Sequence, residues 1–153
     1  MIPKPTLAAA IVMGLAAPSA VVAEVACYDA KVRARATDQI PSEIPGCGVD
    51  CIIVSWPWFV DLRVKRVIDG ALSSKRVRVL TVQHTYHVAR ETTWLLRRNA
   101  AGGFNALSEE DGAPLARCPT EVAPVEPHIR PSDGQTLDDL RDTGIRLFGR
   151  HAK

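Results

Sequence analysis

Val60-Asp61-Leu62-Arg63-Val64-Lys65-Arg66-Val67-Ile68-Asp69-Gly70 and, after Ala71-Leu72-Ser73-Ser74, Lys75-Arg76-Val77-Arg78-Val79-Leu80 decide the fold. Val60, Leu62 and Val64 alternate with Asp61, Arg63 and Lys65, the period of a strand with one buried and one charged face. The phase slips at Lys65-Arg66, which predicts a bulge, and Asp69-Gly70 predicts a turn. Val77 and Val79 then alternate with Arg76 and Arg78, and the strand runs on through Leu80 and Val82. The two strands make a hairpin.

Working outward, Ala30, Val32, Ala34 and Ala36 alternate with Lys31, Arg33 and Arg35, giving a thin apolar face suited to a close-packed first strand. Thr92 to Arg98 carries Trp94 and Leu96 on one side, and Asn99-Ala100-Ala101-Gly102-Gly103 turns the chain back into Phe104 to Leu107. No helix-period segment interrupts these strands. The expected fold is mainly β: a small OB-like barrel or sandwich of four to six strands, spanning residues 24–118.

The flanks read differently. Residues 1–23 have the plan of a Sec signal peptide: one basic residue, an Ala-rich apolar run and a small residue, Ala23, at the cut. Glu24-Val25-Ala26-Cys27 resembles the end of a bacterial lipobox, except that Glu24 stands where that box needs an apolar residue. No second long apolar segment follows, so the cleaved chain is expected to have no membrane span. After Cys118, four prolines (Pro119, Pro124, Pro127 and Pro131) mark a linker over 119–135 that runs extended along the surface. The tail, 136–153, is read as a short helix: Thr136 caps it, Asp138 and Asp139 suit its first turn, and Leu137, Leu140, Leu147 and Phe148 share a face. Gly144 weakens it.

The chain has four cysteines, Cys27, Cys47, Cys51 and Cys118, all after the signal segment. An even number in an exported chain reads as two disulfides with three connectivities open. The preferred set is Cys47 with Cys51, closing a short loop, and Cys27 with Cys118, tying the ends of the β domain together. A zinc site or redox dithiol is the rival reading, for which the spacing is poor.

The segment from Val60 to Leu80 resembles the central hairpin of netrin-like and TIMP-like OB-fold domains, in which a long strand ends on a glycine and leads through a short loop into the next. The resemblance implies an OB fold and a binding role. In that family's inhibitors an amino-terminal cysteine binds the zinc of a target protease. Cys27 is the residue that could correspond, with cleavage after Ala26, but Cys27-Tyr28-Asp29 lacks the family's Cys-x-Cys start.

Each candidate site also has a plainer role. Ser55-Trp56-Pro57-Trp58-Phe59 holds two of the three tryptophans. Trp56 and Trp58 share one strand face, a stacking platform for a sugar or peptide; by parity Trp58 also continues the Val60, Leu62, Val64 row into the core, with Phe59 on the opposite face. His84 and His87, with His128, are weak candidates for a metal. Glu109-Glu110-Asp111-Gly112 reads as an acidic turn. Arg63, Lys65, Arg76 and Arg78 form an outward basic face, either a weak anion surface or a solvated face paired to Asp61. The formal charge of the whole chain is only +2, with acids and bases interspersed, which is no nucleic-acid footprint. No catalytic motif is present and nothing calls for a cofactor. The expectation is an exported, periplasmic or secreted module that binds a protein or cell-envelope ligand. The alternatives are a small metal-dependent or hydrolytic enzyme using His84 and His87, and an assembly factor docking through its carboxy-terminal helix.

Overall fold

The computed structural model describes residues 26–44, 54–87, 90–107 and 114–152. Cys47, Cys51 and the 109–112 turn lie outside the described residues, as does the signal segment. The alternation read from the sequence becomes five long or middle-length strands: β2 (Ala30–Pro41), β3 (Trp56–Gly70), β4 (Arg76–Gln83), β5 (Thr92–Arg98) and β6 (Phe104–Leu107). They follow a two-residue strand, β1 (Cys27–Tyr28), and precede β7 (Ala116–Arg117), a helix α1 (Leu137–Phe148) and a last short strand β8 (His151–Ala152).

Hydrogen bonding runs β3-β4-β6-β5-β2 and returns from β2 to β3, which closes the sheet into a five-stranded barrel. The β4–β6 pair is parallel and the other barrel pairs are antiparallel. Among the barrel strands counted in chain order the ring is therefore 1-2-3-5-4, the OB-like arrangement expected from the hairpin. Closure needs strong coiling, and bulges supply it. Ala34 faces Val64 while Arg33 faces Arg66, so Lys65 is the extra residue at the phase slip; Ile68 and, on β2, Thr37 are extra in the same way.

The interior is filled by the inward rows Ala30, Val32, Ala34, Ala36 of β2 and Trp58, Val60, Leu62, Val64 of β3, with Val79, Trp94 and Leu96. The alanines on β2 leave room for the two indoles. A second core lies on the outside of the wall: Ile40, Phe59 and Leu80 pack with Ile129 and with Leu137, Leu140 and Ile145 of α1. The helix therefore docks on the barrel. Thr136 and Asp139 form a reciprocal capping box at its start. Gly144 sits where a Cβ would lie 2.4 Å from the Pro41 carbonyl oxygen, so the residue that weakens the helix lets it approach β2. Arg141, buried, reaches Asp38 at 3.2 Å and Asp61 at 2.8 Å.

Cys27 and Cys118 are bonded, 91 residues apart, as the sequence reading preferred. Their strands β1 and β7 pair in parallel, and Cys118 N–H donates to the Tyr28 carbonyl at 2.7 Å. The proline-rich segment that follows is held against β5 and β6. Val125 exchanges backbone hydrogen bonds with Arg98 and Ala100, Asn105 donates to the Glu126 carbonyl at 2.7 Å, and the buried Arg97 guanidinium donates to the Ala123 carbonyl. Its other partner is Asp29, at 2.7 Å.

Candidate functional site

One end of the barrel is built from the carboxy-terminal ends of β2, β4 and β6 and the amino-terminal ends of β3 and β5. Strand lengths are unequal there. β6 pairs with Val79 and Leu80 of β4 and with Leu95 to Arg98 of β5, its last described residue being Leu107. Among the described residues, Thr81, Val82 and Gln83 of β4 have ladder partners on the β3 side only, and Thr92, Thr93 and Trp94 of β5 on the β2 side only. Two strand edges thus face one another across a space in which β6 would be the third strand. A strand inserted between two neighbours lies about 4.8 Å from each, which is the room a segment here needs.

The gap opens as a cleft of about 620 Å³. Thr81, Val82, Gln83 and His84 line one side, Thr92, Thr93 and Trp94 the other, with Ala106 and Leu107 between and His87, His128 and Ser55 at the margins. Among the described residues no carboxylate, lysine or arginine lines it. The lining is hydroxyl, amide, imidazole and apolar.

A buried polar network fixes the mouth. Gln39 Nε2 donates to the His87 carbonyl at 3.0 Å and Gln39 Oε1 accepts from the His87 N–H at 2.7 Å, so one side-chain amide pairs with a loop peptide as a strand would. Gln83 Nε2 donates to Thr85 O at 3.0 Å and to Gln39 Oε1 at 3.3 Å, and Gln83 Oε1 accepts from Thr81 at 2.7 Å. The loop places Tyr86 edge-on to Trp58, centroids 4.8 Å apart, and His87 edge-on to Trp94, also 4.8 Å. Burial holds the His87 imidazole below its ordinary pKa, so it is neutral at pH 7. Trp94 is 7 % exposed, and its indole N–H is buried without an acceptor among the described residues. A buried donor left unpaired costs about 1–3 kcal/mol.

The residues singled out in the sequence fall around this mouth. Trp58 is 2 % exposed, stacks on Trp56 at 5.2 Å and donates from Nε1 to the Gln83 carbonyl at 3.0 Å. Phe59 is 1 % exposed and lies in the outer core under α1. Neither ring presents a face to a ligand, because a platform needs an open ring and these are wedged by their neighbours. Trp56 is half-buried against Trp58, at the barrel end. His84, His87 and His128 line the same cleft, yet no group of three histidine, cysteine, aspartate or glutamate side chains is arranged to hold a metal ion among the described residues. Sequence reasoning passed over Gln39, Thr81 and Gln83. Their signal in the sequence is only a polar residue near a strand's carboxy-terminal end, and the bulge at Thr37 turns Gln39 toward the loop.

The outward basic face divides in two. Arg78 pairs with Asp61 at 3.1 Å, the cross-strand pair expected, and with Asp138 of the helix at 2.6 Å. Arg63 and Arg76 have no such carboxylate among the described residues. No helix among the described residues is long and apolar enough to cross a membrane.

No family model, no curated protein and no solved structure matches this chain.

Proposed function

We propose that the protein is an exported binding module that takes an extended, uncharged stretch of a partner polypeptide into the cleft between β4 and β5. The observation that carries this reading is the pair of facing strand edges, Thr81 to Gln83 and Thr92 to Trp94, each without a ladder partner on the cleft side among the described residues. A segment lying in the gap continues the line of β6 and satisfies both edges through its own main chain, which is how strand addition supplies affinity. No charged side chain lines the cleft among the described residues, which selects against ionised side chains in the bound segment. A disulfide between Cys27 and Cys118 is consistent with a compartment outside the cytoplasm, where a periplasmic or secreted module meets cell-envelope partners.

The test is a titration, by tryptophan fluorescence and calorimetry, with the capped peptide acetyl-Val-Thr-Val-Thr-amide and with its counterpart N-methylated at alternate residues. The expected result is saturable binding that weakens about tenfold or more on N-methylation, the equivalent of one or two main-chain hydrogen bonds. Equal binding of the two peptides, or none of either at millimolar concentration, contradicts the proposal.

A further inference from the structure

We infer that the outer face of β2, β3 and β4 docks on an anionic lipid surface. Arg35 stands directly opposite Arg63, and Arg63 directly opposite Arg76, so three exposed guanidinium groups form one row across three neighbouring strands. Like charges placed opposite one another destabilise a sheet, and natural sheets set an acid in such a row. Here none serves. Among the described residues no ion pair reaches Arg35, Arg63 or Arg76, nor the exposed Lys65, Arg66 and Lys75 beside them. Asp61, the nearest acid on β3, is committed to Arg78 and Arg141.

The cations cover an area. The row spans about 10 Å across the strands, and Lys65 and Arg66 extend it along β3. A shallow depression of about 370 Å³ lined by Arg63, Val64, Lys65, Lys75 and Arg76 lies within the patch, a seat for a phosphate group. Val67 and Ile68, 38 % and 42 % exposed, continue directly from Arg66. Clustered cations beside an exposed apolar pair match an anionic membrane interface, where headgroups meet the charges and the aliphatic side chains enter the boundary. A linear polyanion is served by a single line of charge and gains nothing from Val67 and Ile68. Because the whole chain carries only +2, this density is a local feature and not a consequence of a basic protein.

The test uses the full chain and phosphatidylcholine vesicles with or without phosphatidylglycerol, so that apolar attraction indifferent to lipid charge cancels in the comparison. The triple variant Arg35→Gln, Arg63→Gln, Arg76→Gln is expected to lose charge-dependent partitioning on the order of 100-fold at low salt, as three cations near an anionic surface predict. Its binding to pure phosphatidylcholine stays unchanged, and its thermal midpoint is not lowered, since a repulsion is relieved. Arg130→Gln, an exposed arginine elsewhere, leaves partitioning intact. Unchanged partitioning of the triple variant overturns the inference. So does arginine-dependent binding of inorganic polyphosphate or a single-stranded oligonucleotide by a protein that ignores the anionic vesicles.

Discussion

Asp29 shows how much one side chain can anchor. Burial alone raises a carboxyl pKa, but the Arg98 backbone N–H and the Arg97 and Arg98 guanidinium groups outweigh it and hold Asp29 below the usual carboxylate range. A folded-state pKa lowered in this way contributes stability that is fully present above the unfolded value, about 3.9, and is lost as pH falls through the folded value. Removing the charge also strands Arg97, which is buried and has, among the described residues, only the Ala123 carbonyl besides. Asp29→Asn is therefore expected to destabilise the protein by about 3 kcal/mol at pH 7 and to flatten the acid limb of stability below pH ~4, measured by urea denaturation at a series of pH values. An unchanged acid limb would assign the acid sensitivity elsewhere. At the same scale, Trp58 and Phe59 show what adjacency in sequence conceals: neighbours on a strand serve two separate cores, one inside the wall and one outside it.

At the scale of elements, α1 carries the clearest sign test. In an exposed helix Gly→Ala stabilises by roughly 1 kcal/mol. In α1 the new methyl of Gly144→Ala meets the Pro41 carbonyl and the Ile40 side chain, so the substitution is expected to destabilise by about 1–3 kcal/mol in denaturant melts. A stabilised variant would mean that the helix does not rest on β2. Much of this level was legible beforehand. Alternation at residues 60–64 and 77–79 and the Thr136 cap are local signals, and each corresponds to an element of the fold, whereas Asp69 and Gly70, read as a turn, are the last residues of β3, paired with Lys31 and Ala30. The phase slip at Lys65 is visible in sequence, but its partner irregularity at Thr37 is not, because Thr37 follows a clean alternation and is bulged only by its register against Asp61 and Leu62. That register is what brings Arg35 opposite Arg63, so the arginine row could not be read from either strand alone.

At the scale of the molecule, three connections distant in sequence make the body one unit. β2 closes the barrel against β3, the Cys27–Cys118 bond ties its two ends, and the proline-rich segment with α1 wraps the outer wall. Closing a loop of 91 residues restricts the unfolded chain by about 4–5 kcal/mol in the loop-entropy account. The cleft belongs to this scale and was hidden for that reason. It arises because, among the described residues, β6, inserted in parallel beside β4, pairs over a shorter length than the strands on either side of it, a relation among three segments that no single stretch of residues encodes. The central claim is that the cleft-side edges of β4 and β5 are open and accept a strand. Amide hydrogen exchange at Thr81–Gln83 and Thr92–Trp94, with and without acetyl-Val-Thr-Val-Thr-amide, tests it most directly. The account predicts that the amides facing the cleft exchange fast in the free protein and slow by about tenfold or more when the peptide is present. Amides already as protected as those of Val79 and Leu80 in the free protein, or unaffected by the peptide, would contradict it.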